Sequence, residues 1–293
     1  MTMWNLQRLA GFDARAHLDT AFSDGEVTDD EKKFLMDLYQ QYEASSGRPT
    51  EALLGVGQRE ELFTLVHDAY GYVQDGRRLK KLRADLKLLA DYCPYCGFAP
   101  ISDLDHHLQR GRFKLLSIFA LNLVPCCSPC NTGKRRTPSE NPAEHQLHTY
   151  LESVTQFDFL RAAVALQAGT GALEVTYSVA QCDGMSAELQ SRLEHHLTEF
   201  DLRNKYAKQV NIHLSEHEFG MSMAFESGPL TLQRYLAGTA NGHMKNFGVN
   251  DWRTALFRGL AHCDAFWNGG FKKAIGIVDV AGPVAVPEPA NVA

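Results

Sequence analysis

Within residues 93–131 the chain reads Cys93-Pro94-Tyr95-Cys96-Gly97, then Leu104-Asp105-His106, then Asn122-Leu123-Val124-Pro125, then Cys127-Ser128-Pro129-Cys130-Asn131. Two chemistries share this stretch. A tetrahedral zinc site needs four deprotonated soft ligands at about 2.3 Å, and a Cys-x-x-Cys turn aims two sulfurs at one point. Cys93 with Cys96 and Cys127 with Cys130 meet that need. Cys126 competes with Cys127 for a place but breaks the knuckle spacing. Four thiolates leave no open coordination position, so such a zinc ion holds the fold and does no chemistry.

Asp105, His106 and Asn131 supply the second chemistry. Hydrolysis of a phosphodiester calls for a base to activate water and a divalent cation to neutralise charge developing on phosphate oxygens. Imidazole titrates near neutrality and suits the base, which falls to His106. The side-chain oxygens of Asp105 and Asn131 suit a hard cation, Mg²⁺ or Mn²⁺.

The formal net charge of −6 over 293 residues is unexpected for a chain that handles a polyanion, until the charge is mapped. From Arg77 to Arg136, twelve Lys/Arg stand against four acids, so this stretch carries +8 and the remainder −14. Basic charge concentrated around the motif is what a phosphate-binding face requires. Arg110, Lys134, Arg135 and Arg136 are assigned to phosphate, whereas Arg77–Lys87 reads equally well as the wet side of an amphipathic helix. Seven cysteines without an export-type N-terminus favour metal over disulfides, and Cys126, Cys182 and Cys263 read as buried small hydrophobes. No apolar run approaches the roughly 18 residues that span a bilayer, so no membrane insertion and a cytoplasmic address are expected. The sequence has no Gly-rich Walker loop, which argues against ATP hydrolysis.

Around the motif the chain divides into a helical region (1–92), the cysteine-bounded unit (93–137), a less legible mixed region (138–279) and an Ala/Val/Pro-rich tail (280–293). Thr28-Asp29-Asp30-Glu31 has the form of a capping box, and Phe34, Leu35, Leu38, Tyr39 and Tyr42 follow at helical spacing. Further helices are expected over Glu60–Tyr72 and from about Arg77 to Tyr92, the last with Leu79, Leu82, Leu86 and Leu89 on one face. Ser128 suits an N-cap and Pro129 the first helical position, which predicts a helix carrying Lys134, Arg135 and Arg136. Beyond it, alternation over Leu173–Val179 predicts a strand, Ser186 starts a helix with Leu189, Leu193, Leu197 and Phe200 inward, and Asp251-Trp252 opens another through Cys263. One of His195 and His196 is expected to face the core. His213-x-x-x-His217 beside Glu216 and Glu218 suggests a second metal site, but it lacks the zincin order of residues and reads rather as an exposed polar face.

Cys-Pro-Tyr-Cys-Gly, Leu-Asp-His, Asn-Leu-Val-Pro and Cys-x-x-Cys-Asn-Thr-Gly-Lys resemble the HNH endonucleases over roughly residues 93–136. The resemblance implies an α+β chain: a zinc-stapled ββα-metal core between the helical N-terminal region and a mixed α/β C-terminal region. It implies a metal-dependent DNA endonuclease that nicks as its elementary act, with structural Zn²⁺ and catalytic Mg²⁺ or Mn²⁺. In such enzymes the base falls on His106, the metal ligands on Asp105 and Asn131, and the Asn that braces the base's loop on Asn122. Some relatives use a His-His pair whose second member is the base, here His107; Asp105 already provides the ligand that the first His of such a pair would give. The family commonly has Pro three residues after the base, where Gln109 stands. Enzymes of this length resemble effectors of antiviral defence or of mobile elements, in which a protein partner supplies sensing. The competing class is a non-catalytic zinc module that binds nucleic acid.

Overall fold

A computed structural model describes residues 4–134 and 139–276; Arg135, Arg136 and the 280–293 tail lie outside the described residues. Asp13 accepts a hydrogen bond from the Ala16 amide to start α1 (Ala14–Ala21). The capping box closes at Thr28, whose hydroxyl accepts from the Glu31 amide while the Glu31 carboxylate accepts from the Thr28 amide, and α2 (Asp29–Ala44) follows. α3 (Glu60–Asp68) tightens into a 3₁₀ turn over Ala69–Val73. α4 (Lys80–Lys87) buries Leu82 and Leu86 and is shorter at both ends than the periodicity predicts. Its C-terminal end gives way because the chain must turn to form the bridge between Tyr92 and Pro100 that encloses the first cysteine knuckle.

β1 (Asp103–His106) pairs antiparallel with β2 (Leu123–Cys126), setting Asp105 opposite Val124 and His106 opposite Leu123. α5 (Ser128–Gly133) then begins one residue earlier than Ser128 as a cap would allow. Cys127 is the N-cap, and the Ser128 amide donates instead to the Ser102 hydroxyl at 2.9 Å. The helix ends at Gly133, leaving Lys134 as an extended C-cap with ψ 140° rather than as a helical residue.

Downstream, β3 (Leu160–Leu166) and β4 (Leu173–Val179) form a second antiparallel hairpin. α6 (Ala187–Glu199) is capped by Ser186, and α7 (Leu202–Glu216), α8 (Glu218–Glu226) and α9 (Pro229–Phe247) follow. α10 (Trp252–Ala261), capped by Asp251, packs on α9 and β3, and α11 (Phe271–Ala274) closes the described chain. The whole is an α+β chain, mostly helical, with two small antiparallel sheets. Buried side chains from Trp4 to Phe271 make one core. Trp4 meets Phe159 edge-on at 5.5 Å, Tyr95 stacks on Phe200 at 4.6 Å, and Phe98 meets Trp252 at 6.5 Å. Among the described residues no helix is long and apolar enough to cross a membrane.

Candidate metal centre and the cleft beside it

Cys93 and Cys96 leave the first knuckle and Cys127 and Cys130 the second, all four buried, with their sulfurs within 4.8 Å of one another. Cys96 Sγ and Cys127 Sγ are 3.9 Å apart. Sulfurs at 2.3 Å around a tetrahedral zinc ion would be about 3.8 Å apart, so the cluster can hold that ion. Each turn is closed by backbone bonds: the Gly97 amide donates to Cys93 O at 2.8 Å, and the Cys130 and Asn131 amides to Cys127 O at 3.1 and 3.0 Å. Gly97 takes φ +76°, where a side chain would be strained. Burial pushes the Cys93 thiol up, while hydrogen bonding from Cys130 pulls Cys127 down, so metal binding displaces the protons that remain. Cys126 is buried but stands outside the cluster.

The C-terminal elements hold this centre from behind. His196, on α6, is the inward member of its pair and donates from Nε2 to the Tyr95 carbonyl at 3.1 Å. Lys205, on α7, brings its ammonium to 3.8 Å from Cys130 Sγ, a cation beside four sulfurs that carry excess negative charge once deprotonated. Arg253, on α10, reaches the Gly97 carbonyl at 3.4 Å.

Against the hairpin of β1 and β2 lies a cleft of about 450 Å³, lined among others by Asp105, His106, Arg110, Asn131 and Lys134. The helical region contributes His67 and Tyr70 to the same cleft. His106 Nε2 lies 3.0 Å from the Ser117 carbonyl, which can only accept, so Nε2 carries the proton and the lone pair is on Nδ1. The Tyr70 ring meets the imidazole edge-on at 4.5 Å, and burial drops the His106 pKa to about 3. His107 turns the opposite way, as successive strand residues do, and its ring packs at 4.2 Å on that of His148 in the interior.

Asn122 is fully buried and ties down the segment between the strands. Its Oδ1 accepts from the Leu108 amide at 2.7 Å and from the Tyr42 hydroxyl at 3.1 Å; its Nδ2 donates to the carbonyls of Leu108 and Leu116. Tyr42 in turn accepts from His148 Nε2 at 2.8 Å, because the Tyr150 amide already occupies His148 Nδ1. Asn131 donates from Nδ2 to Asp103 at 3.2 Å, which leaves its carbonyl oxygen for the cleft.

Lys134 behaves differently from the phosphate contact that the sequence suggested. Its ammonium lies 2.6 Å from Asp105 Oδ2 and 2.8 Å from each of the His106 and His107 carbonyls, so all three of its protons are committed inward. The physical reason is the early end of α5, which swings the residue back over β1. Both side chains are nearly closed off, 10% and 9% exposed, and the Tyr95 hydroxyl donates to the same Asp105 oxygen at 2.8 Å. Oδ1 of Asp105 has no hydrogen-bond partner among the described residues. Asp105 and Asn131, the two oxygen-bearing side chains read as ligands of a hard cation, thus line the same cleft. Arg110 carries no ion pair among the described residues and lies over the Tyr70 ring at 5.1 Å, at the cleft's edge. Several other basic residues of the stretch are matched by carboxylates of the helical region, as Arg78 is by Asp24 at 3.0 Å, which shrinks the bare positive face.

Removing one partner of a buried ion pair strands the other. Lys134→Met is expected to cost about 3–5 kcal/mol in urea unfolding, and adding Asp105→Asn to recover most of that loss. A double variant as unstable as the single one would show that the ammonium matters through its carbonyl bonds alone.

No family model matches the chain, and no solved structure matches it. Among curated proteins, protein ea31 of Escherichia phage lambda is similar, 24% identical over 189 residues. The alignment covers 60% of this chain and 64% of that protein.

Proposed function

We propose that the chain is a metal-dependent DNA endonuclease of the HNH kind, with β1, β2 and α5 as its ββα-metal unit. What carries this reading is the meeting of Asp105, His106 and Asn131 in one cleft beside four clustered cysteines, with the free lone pair of His106 on Nδ1. A divalent ion bound by Asp105 and Asn131 would supply charge neutralisation at the phosphate. His106, held by Ser117, takes the proton of the attacking water at Nδ1. Asn122 fixes the loop that presents it. Arg110 meets the phosphate backbone, where contacts give salt-sensitive affinity with little sequence preference. The zinc centre keeps both knuckles, and hence β1 and α5, in register. One such centre cuts one strand per engagement, so nicking is the elementary act. The setting proposed is a mobile element or antiviral defence, with a protein partner for sensing; the similar protein ea31 comes from a phage.

A second reading, a non-catalytic zinc module that binds nucleic acid, is favoured by one observation: the Lys134 ammonium already neutralises Asp105. Plasmid relaxation with Mg²⁺ separates the two. His106→Ala is expected to lower nicking by about 10²–10⁴-fold while zinc content stays that of the wild type. Equal nicking by both chains would remove His106 as the base; retention of plasmid in a gel shift with no nicking by either would favour the binding module. Offering RNA beside DNA assigns the substrate.

A further inference from the structure

His213 on α7 and His217, the residue that caps its C-terminal end, are one turn apart and so share a face, and α9 places His243 against them. We propose that these three imidazoles form a second metal site, distinct from the cysteine cluster, for a borderline divalent transition ion of the zinc type, with a fourth position open to water or an exogenous ligand. Their ligand atoms all lie within 4.8 Å of one another. His213 Nε2 and His243 Nε2 are 3.3 Å apart. Two imidazole nitrogens bound at 2.0–2.1 Å to one tetrahedral ion are separated by about that same distance.

The surrounding groups set the nitrogens for this task. Glu216 lies 3.0 Å from His213 Nδ1; a carboxylate only accepts, so the proton sits on Nδ1 and the lone pair on Nε2. The Tyr235 hydroxyl, 3.0 Å from His217 Nδ1, occupies that nitrogen and leaves Nε2 for the ion. A carboxylate or hydroxyl on the far nitrogen of a ligating histidine is the arrangement that orients such ligands. Phe257 forms an apolar floor, its ring centroid 5.7, 4.8 and 5.3 Å from those of His213, His217 and His243. An ion there would add a bridge between α7 and α9 to the His213–His243 and His217–Tyr235 hydrogen bonds and the shared contact with Phe257.

The full chain loaded with ¹¹³Cd²⁺ tests this by NMR. The expected wild-type spectrum has a resonance in the nitrogen-ligand range beside one in the thiolate range, and His243→Gln or His217→Gln removes the former alone. Native mass spectrometry with Zn²⁺ should show one ion fewer per chain in either variant. A wild-type spectrum with no nitrogen-range resonance overturns the proposal, and that reading needs no variant to fold; so does a nitrogen-range resonance that survives both substitutions.

Discussion

Cys127→Ser is expected to yield a chain that holds no zinc in its cysteine cluster and has lost cooperative unfolding. Structural zinc contributes on the order of 10 kcal/mol where a site forms only on folding, and a domain's whole net stability is about 5–15 kcal/mol. The loss is large here because the cluster is also a packing element. It is buried between the two knuckles and the aromatic layer of Tyr95 and Phe200, and three polar groups of α6, α7 and α10 are committed to it. Native mass spectrometry and far-UV melting, with and without chelator, read the two effects together. A stripped wild-type chain that melts cooperatively at the loaded temperature would show that the core, and not the ion, carries the fold. Cys126→Ser provides the internal contrast: as a buried thiol outside the cluster it is expected to keep the zinc.

Acid is the second large lever. His106, His148 and His196 are held near pKa 3 by burial, and burial takes His107 well below its ordinary 6.5. Unfolded, each takes up a proton near 6.5; folded, only far below that. Stability is thus complete above pH 6.5 and falls as pH drops toward 3, by about 2 kcal/mol per histidine at pH 5. Four such groups together match the net stability of an ordinary domain. Urea midpoints taken from pH 7.5 to 5 at saturating zinc should fall with a slope approaching four protons, and His196→Gln should remove about one of them. A flat profile would mean that these rings meet water or a carboxylate in the folded chain.

What could be read in the sequence was what chemistry writes locally. Cys-x-x-Cys spacing is fixed by the ion's geometry, the Thr28/Glu31 box by the first helical turn, and the Leu173–Val179 alternation by the pleat, and each of these elements stands where the residues put it. Leu160-Arg161-Ala162-Ala163-Val164-Ala165-Leu166 failed to announce a strand, because its Ala and Leu content suits a helix; pairing to β4 decides the matter. The inward reach of Lys134 depended on a helix ending at Gly133, immediately before a run of basic residues, a boundary that propensity does not fix. His67 and Tyr70 enter the cleft, and His243 joins His213, through tertiary packing across tens of residues, for which no local signal exists. The burial of His148 beneath Tyr42 is of the same kind.

The grip of His196, Lys205 and Arg253 on the two knuckles bears on how this chain can change over evolutionary time. A segment such as 93–137, lifted into another host protein, would arrive with unscreened sulfurs and with two turn carbonyls lacking their donors. Shuffling at the border that composition suggests is therefore penalised, and both halves must be inherited as a pair. The cleft's outer wall, lined by His67, Tyr70 and Arg110, stands outside that grip and can vary without loosening the sulfur clamp.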